Sequence, residues 1–530
     1  MTFATLAQTC LCLLPVYFIV RHVYRIYTSP IRHFPGPPLS SIIFGNLKEV
    51  FASENSVIFE KWNEEYGPTI QYRAFFGVRR LYTVDIKALS HILNNHYDYQ
   101  KPEEARFMLS EVLGDGILIT EAKKHKFQRK VMNPAFGAPQ IRQLTDIFVN
   151  KSMELRDAWK LEIEAGSNSN ANETVRIDVL SWLSKMTLDV IGLAGFNYEF
   201  NSINPLDGKP NELSSAFTTI FSQSLTRSKI WPIIRVYVTP LRRLPALQSG
   251  IITNARNTMI RIGRHLMDDS KRTLAQDSDK KAAGRDLLSL LVKSNMNEKD
   301  AERMSDEDVL AQVPTFLVAG HETTSVATTW ALFALAQHLE VQRKLRDELL
   351  AVSTSSPTMD ELNALPYLDS FVREALRLYA PVPATRRIAV RNGVIPLGEP
   401  VGGRDYVEVK SGQNILINIL VLNRSKKLWG KDAKDFKPER WLNGSIDTAL
   451  PGVWGNMMTF LGGAKSCIGY RFSLVEMKAL LFALVREFEF ELAVPREDIG
   501  SEQSVVQRPF IKSQKHKGSQ LPLLVRIYNP

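Results

Sequence analysis

Cys467 sits in the stretch FLGGAKSCIGYRF, Phe460 to Phe472, with Gly462 and Gly463 before it, Gly469 after it, and a helix-like apolar pattern from about Ile468. A lone cysteine is most often a small buried hydrophobe, but these neighbours point elsewhere. The glycines let the backbone approach something flat and bulky. A helix starting here would set its N-terminal dipole against the sulfur and favour the thiolate. Lys465 adds positive charge nearby. A thiolate beneath a large planar group describes a haem ligand. Other thiolate uses fit less well: a nucleophile wants a partner histidine, which the sequence leaves open, and zinc wants clustered Cys or His ligands, which are missing here.

A second group with chemical potential lies in FLVAGHETTS, Phe316 to Ser325. On a helix, Ala319 and Gly320 fall on the face of Thr323, one turn earlier. Glycine inside a helix costs about 1 kcal/mol, so the position asks for space. Two readings stand side by side: close packing of two helices through small residues, or a small pocket where the Thr323 hydroxyl and the Glu322 carboxyl relay protons to a ligand. A zinc protease would need histidine at position 325, where Ser325 stands. A third group is Glu374 and Arg377, an i, i+3 pair with apolar flanks; if buried, it needs further hydrogen-bond partners. Arg440, in KPERW, is the candidate.

These groups need elements to hold them. Ser305 followed by Asp308 starts a helix, whose apolar pattern runs to about His338, roughly 32 residues or ~48 Å. Pro314 should kink it or free the Leu310 carbonyl. Elsewhere helical periodicity dominates after residue 55. Strand-like pieces occur near Thr69–Phe76, Leu81–Val84, Ile415–Leu420 and Leu521–Ile527. Glu164–Thr174 and Gln276–Asp286 read as surface loops. No composition shift divides the body, so it reads as one large, mainly helical domain. The uncharged run from Thr2 to Val20 is long enough to span a bilayer. Arg21, Arg25 and Arg32 follow it, which places the body in the cytosol; a cleaved signal would carry its charge before the run. FPGPP, Phe34 to Pro38, reads as a stiff hinge. With Cys10, Cys12 and Cys467 as the only cysteines, the body holds no disulfide framework. The net charge of +10 is spread among acidic residues, which argues against nucleic-acid binding and for an acidic partner or membrane surface.

In this order the motifs resemble the cytochrome P-450 family, of the membrane-anchored microsomal type with a fungal flavour. The resemblance spans nearly the whole chain: anchor, proline-rich hinge, oxygen-activation helix, E-x-x-R, P-E-R-[FW] and cysteine loop. It implies a mainly α fold with small β-sheets, the haem lying between the long central helix and the cysteine-loop helix. The expected division is an anchor over 1–22, a hinge and linker over 23–50 and a catalytic domain over 51–530. The family's F-x-x-G-x-[RH]-x-C-x-G falls on Phe460, Gly463, Lys465, Cys467 and Gly469, making Cys467 the axial iron ligand. Lys465 departs from the pattern; it keeps the charge that holds a haem propionate and loses the planar fork. The pattern [AG]-G-x-[DE]-T-[TS] falls on Ala319, Gly320, Glu322, Thr323 and Thr324, so Thr323 and Glu322 would supply protons for dioxygen activation. Glu374, Arg377 and Arg440 match the triad that braces the cysteine loop. His125, where the family has tryptophan, Arg129 and Arg387 are further propionate candidates.

The resemblance further implies haem b, with NADPH and flavins entering only through an NADPH-cytochrome reductase, and cytochrome b5 as a second candidate donor. The basic stretch Lys123–Lys130 is a candidate docking face. Substrate would be framed by segments near Phe107–Ile119, Phe217–Ile234, Val382–Ala384 and Pro509–Phe510. Phe107, Phe217, Val382 and Phe510 are the candidate contacts, and their apolar character suggests a hydrophobic small molecule such as a terpenoid. KIWPII, Lys229–Ile234, could dip into membrane lipid. The function expected is a monooxygenase of secondary metabolism in the endoplasmic reticulum membrane, single-pass, facing the cytosol. The rivals are a haem-thiolate isomerase or peroxygenase, a fatty-acid or xenobiotic hydroxylase, and a protein that has lost its haem.

Overall fold

The computed structural model describes residues 16–17, 20–166, 174–204, 211–213, 215–216, 241–242, 249–276, 285–297, 303–442, 449–501 and 505–529. Phe217, the segment around Lys229–Ile234 and most of the expected anchor lie outside them. The helices that position the site are α1 (Glu103–Leu113), α2 (Ala122–Met132), α3 (Ala138–Gly166), α4 (Val179–Phe196), α5 (Asp306–Leu310), α6 (Gln312–Gln337), α7 (Pro366–Leu378) and α8 (Tyr470–Glu487). A five-stranded sheet runs in the order β1 (Thr69–Arg73), β2 (Arg79–Thr83), β8 (Asn414–Asn418), β5 (Ala384–Ala389), β3 (Tyr99–Gln100). A three-stranded sheet pairs β4 (Val175–Asp178), β12 (Pro522–Ile527) and β9 (Phe488–Leu492). Two hairpins complete the described strands: β6 (Gly393–Val401) with β7 (Arg404–Val409), and β10 (Ile499–Ser501) with β11 (Pro509–Ile511). The mainly helical expectation holds, and the small sheets are more extensive than the apolar runs suggested. β5, β6 and β7 carry mixed, partly exposed residues, so no clean alternation marks them.

α6 is the axis of the core: Thr324 to Ala336 is buried without a break. The single long helix expected from Ser305 is two helices, interrupted at Ala311. Ser305 does cap the first, accepting from Asp308 N at 3.1 Å. Pro314 cannot donate to Leu310, and its ring disfavours the helical carbonyl there. The Gln312 side chain bridges the interruption, donating to the Asp308 carbonyl at 2.8 Å and accepting from Ile117 N at 2.9 Å. α4 lies along α6 and α8 packs on α3 through Phe148 and Phe472, whose ring centroids are 4.6 Å apart. Among the described residues α4 is the one helix long and apolar enough to cross a membrane, but 72% of it is buried within the protein, which makes it a core helix.

The expected hinge and linker over 23–50 lies against the body. Helical residues continue from 20 to 27, past the anticipated boundary at 22. Ile31 and Asn46 are fully buried. Gln71 N donates to Pro35 O at 2.9 Å and Asn46 N to Arg73 O at 2.7 Å, docking the segment along β1. Proline restricts this backbone to extended conformations, which suits its bonding along the outer edge of β1.

Candidate active site

The brace beneath the cysteine loop forms first from α7. Glu374 and Arg377 are fully buried and doubly bonded, Arg377 Nε to Glu374 Oε2 at 2.8 Å and Nη2 to Oε1 at 2.7 Å. The further partners that burial requires are all present. Arg377 Nη1 donates to the Asn423 and Ala433 carbonyls at 2.7 and 2.6 Å. Glu374 also accepts from Lys437 N at 3.0 Å, Arg440 Nε at 3.3 Å and Trp441 Nε1 at 3.0 Å. Asn423, which sequence reading missed, carries the brace onward: its side chain accepts from Met458 N at 3.0 Å and donates to Thr459 Oγ1 at 2.8 Å. Those two residues lead directly into Phe460.

The cysteine loop is held by its own backbone. Cys467 N donates to Phe460 O at 2.9 Å, and Phe460 packs its ring on Trp454 and Tyr470. Two of the glycines serve the loop's own packing. A side chain at Gly462 would run into Pro451 O, and Gly463 has φ +66° with Leu93 O 2.7 Å from where a Cβ would stand. Arg129 donates to the carbonyl and hydroxyl of Ser466, so it braces the cysteine loop. The helix behind the loop begins at Tyr470, two residues later than expected. Protein encloses the Cys467 sulfur on most sides, yet the residue is exposed to open space. Burial raises its pKa, while the Gly469 N–H and the Arg129 charge pull it down. Burial outweighs them, so the helix terminus alone does not secure the thiolate; a cationic metal would.

Beside the loop lies a cluster of cations. Lys465 Nζ is 2.6 Å from Glu121 Oε2 and donates to Thr120 O at 2.9 Å; the two side chains are 6% and 4% exposed. Lys101 donates its backbone N–H to Glu121 Oε1 at 3.2 Å and its ammonium to Leu118 O. Its pKa is pushed down to about 7, first by burial and then by the charges of Arg387 and Lys465. Lys465 is lowered to about 8, again chiefly by burial. Arg387 is 2% exposed and bonds Thr385 Oγ1 at 2.8 Å. His125 is buried with Nδ1 unpartnered, and burial, then Lys465, hold its pKa near 3; it is neutral and can offer a hydrogen bond, not a charge. Excess buried cations and an orphaned ring nitrogen fit a dicarboxylate ligand, as haem propionates are. Lys101 and Glu121 were missed because nothing in their local sequence marks them; only the fold brings them to Lys465.

On α6, Ala319 is exposed and Glu322 and Thr323 half-buried, so this turn faces open space. The two readings of the small residues divide between them. A Cβ on Gly320 would stand 2.8 Å from Ile191 Cδ1 of α4, so Gly320 is a close-packing position turned away from the open side. Ala319 borders that side. The Thr323 hydroxyl donates to Ala319 O at 2.6 Å. The Glu322 carboxylate is 2.8 Å from Arg508 Nη2, with Arg508 Nε at 3.1 Å. Gln507 holds Arg508 in place by donating its backbone N–H to Pro381 O and accepting from Trp330 Nε1. Arg508 was missed although it precedes the Pro509–Phe510 turn. His321 faces α4, its Nε2 2.8 Å from Ser184 Oγ, and burial holds its pKa near 3. Thr324 Oγ1 lies 3.1 Å from Ser473 Oγ of α8, which makes the open turn of α6 a neighbour of the cysteine end of α8.

Of the candidate substrate residues, Val382 is half-buried against the core. Phe107 on α1 lies beneath the Arg242 guanidinium at 5.1 Å. Phe510 packs over Gly500 and under Lys515, which engages its ring within the β10–β11 hairpin.

A buried E-x-x-R brace, a cysteine loop and a threonine-bearing helix turn beside it occur together in one family of folds. The sequence model of that family, cytochrome P450, matches residues 35–512. The chain belongs to the cytochrome P450 family. It is 54% identical over 522 residues to cytochrome P450 monooxygenase 205 of Postia placenta, covering 96% of this chain and 95% of that one. Cytochrome P450 monooxygenase 128 of the same fungus is 51% identical over 528 residues, with 96% and 95% covered. Cytochrome P450 monooxygenase claW of Ampulloclitocybe clavipes is 34% identical over 519 residues, with 95% and 93% covered. The chain is thus a fungal-type cytochrome P450 monooxygenase with a haem-iron cofactor.

Proposed function

We propose that this monooxygenase inserts one atom of dioxygen into a hydrophobic small molecule of terpenoid-like character, in secondary metabolism, using haem b and NADPH electrons delivered by a flavoprotein reductase. The observation carrying this reading is the exposed residue Cys467 in its braced loop, next to the α6 turn that presents Thr323 and Glu322. Haem bound through a cysteine thiolate supplies the dioxygen-cleaving chemistry. The chain's own residues do the rest. Cys467 would ligate the iron, and Lys465, Arg387, Lys101 and His125 would hold the propionates. Glu322 and Thr323 would hold and pass protons at the open turn of α6. Phe107 and Val382 would border the substrate.

The uncharged stretch ending at Val20 would serve as a single-pass anchor in the endoplasmic reticulum membrane, with the body in the cytosol. On α2, Lys123, Lys124 and Lys126 are exposed, which suits an acidic reductase or cytochrome b5. Lys124 is paired with Asp308 at 2.7 Å, so Lys123 and Lys126 are the better probes of docking. The test is spectroscopic first: dithionite reduction, carbon monoxide, and the difference spectrum, with Lys465→Arg measured alongside. A strongly red-shifted Soret band is expected for both. Turnover that requires NADPH and reductase supports the monooxygenase route; turnover with peroxide alone, or without any oxidant, overturns it.

A further inference from the structure

Lys101, Arg387 and Lys465 share one carboxylate among the described residues, Glu121, while Arg106 adds further positive charge to the first and third. The carboxylate is engaged at both oxygens, by the Lys465 ammonium at 2.6 Å and the Lys101 backbone N–H at 3.2 Å. It sits at the residue before α2, and its side chain is 4% exposed. A buried anion placed among the cations that a ligand's carboxylates need is costly unless it has work of its own.

We propose that Glu121 is a stand-in for a haem carboxylate: it holds the cation cluster together before haem arrives, and bound haem competes with it for the same cations. The inference rests on the haem reading above. Without Glu121 the haem-free cluster is Arg106, Arg387, Lys465 and the partly charged Lys101 repelling one another in a poorly solvated place. With Glu121 the cluster is easier to fold but attracts propionates less. Lysine at 465 suits this exchange. Its ammonium is a point charge that can turn from one carboxylate to another, whereas the arginine fork fixes one partner in a plane. Glu121 therefore trades haem grip against the foldability of the empty chain.

The experiment uses the full-length chain in detergent, comparing native protein with Glu121→Gln. Haem transfer to excess apomyoglobin gives the loss rate, and melting of haem-free preparations gives the stability of the empty cluster. Removing one negative charge near the propionates should slow haem loss by about ten-fold or more. The haem-free chain should melt earlier and the midpoint potential rise, since a negative charge beside the iron site is gone. Glu121→Asp, which retracts the carboxylate by one methylene, should move both quantities the same way by a smaller factor, and serves if Glu121→Gln does not fold. Unchanged or faster haem loss in either variant overturns the inference; faster loss rescued by Lys465→Arg would make Glu121 a positioning residue for the lysine instead. If neither native nor variant protein gives the thiolate-type carbon monoxide band, the haem reading itself fails and takes this inference with it.

Discussion

Glu374→Gln replaces one buried atom and should be among the most damaging single changes in the chain. Oε1 of Glu374 accepts from Arg377 Nη2, Lys437 N and Arg440 Nε, and Oε2 from Arg377 Nε and Trp441 Nε1. Glutamine has one oxygen. Placed at the Oε1 position, it turns its amide N–H groups toward Arg377 Nε and Trp441 Nε1, which are donors themselves. Two bonds are lost, one of them to a charged group, and a guanidinium with no solvent exposure loses its counter-charge. Breaking a buried pair in this way costs about 3–5 kcal/mol. Unfolding entropy of about 2.1 cal/mol/K per residue gives about 1 kcal/mol per kelvin for a chain of this length. The expected fall in melting temperature is therefore about 3–5 °C, read by near-UV circular dichroism at fixed scan rate. Haem should be lost more readily as well, because Asn423 transmits the brace to Met458 and Thr459. Glu340→Gln, at an exposed i, i+3 pair with Arg343, is the control and should leave the midpoint unmoved. Equal shifts in the two variants would refute the argument that burial and bond count decide the cost.

Ala122 holds φ +49° at the entry to α2, a region that costs a side-chain-bearing residue of order 1 kcal/mol; Ala122→Gly should raise the denaturation midpoint in urea, and a lowered one would show that the turn needs its methyl. Lys101 has its pKa lowered to about 7 by burial, so the unfolded chain binds more protons there between about pH 7 and the usual lysine range. Stability of the haem-free protein should rise with pH across that window, and Lys101→Met should flatten the rise; an identical slope in the variant would exclude Lys101 as its source. Arg508→Gln removes the cation from Glu322 and should increase the share of consumed NADPH that appears as hydrogen peroxide. Unaltered coupling would separate the ion pair from proton delivery.

The motifs that carry chemistry were legible because each packs several constraints into a few consecutive residues. FLGGAKSCIGYRF, AGHETT and E-x-x-R declare themselves, and the need for a third partner to Glu374 pointed to Arg440 before any geometry. What escaped was whatever depends on distant segments meeting. Glu121 and Lys101 have no local signature, Arg508 reaches Glu322 across 186 positions, and Asn423 is one more polar residue in an apolar stretch. Glycine roles stayed open for a related reason. A small residue records that something is close without saying what: at Gly320 it is Ile191, at Gly463 the Leu93 carbonyl. Pro314 was read correctly as a disturbance, but only the side chain of Gln312 shows how the helix recovers.

The docking of residues 31–46 along β1 has a consequence for orientation. His22 bonds the Phe76 carbonyl at 2.8 Å, Arg79 reaches the Ile26 carbonyl and Lys410 the Thr28 carbonyl at 2.9 Å, so the helical residues before the proline segment are tied to the β1–β2 hairpin and to the end of β7 as well. A tether of Gly and Ser would let the body tumble; this one is a fixed bracket. Whatever surface the N-terminal segment enters, the bracket sets the tilt of the sheet against it, and with the tilt the direction from which a lipophilic molecule must come.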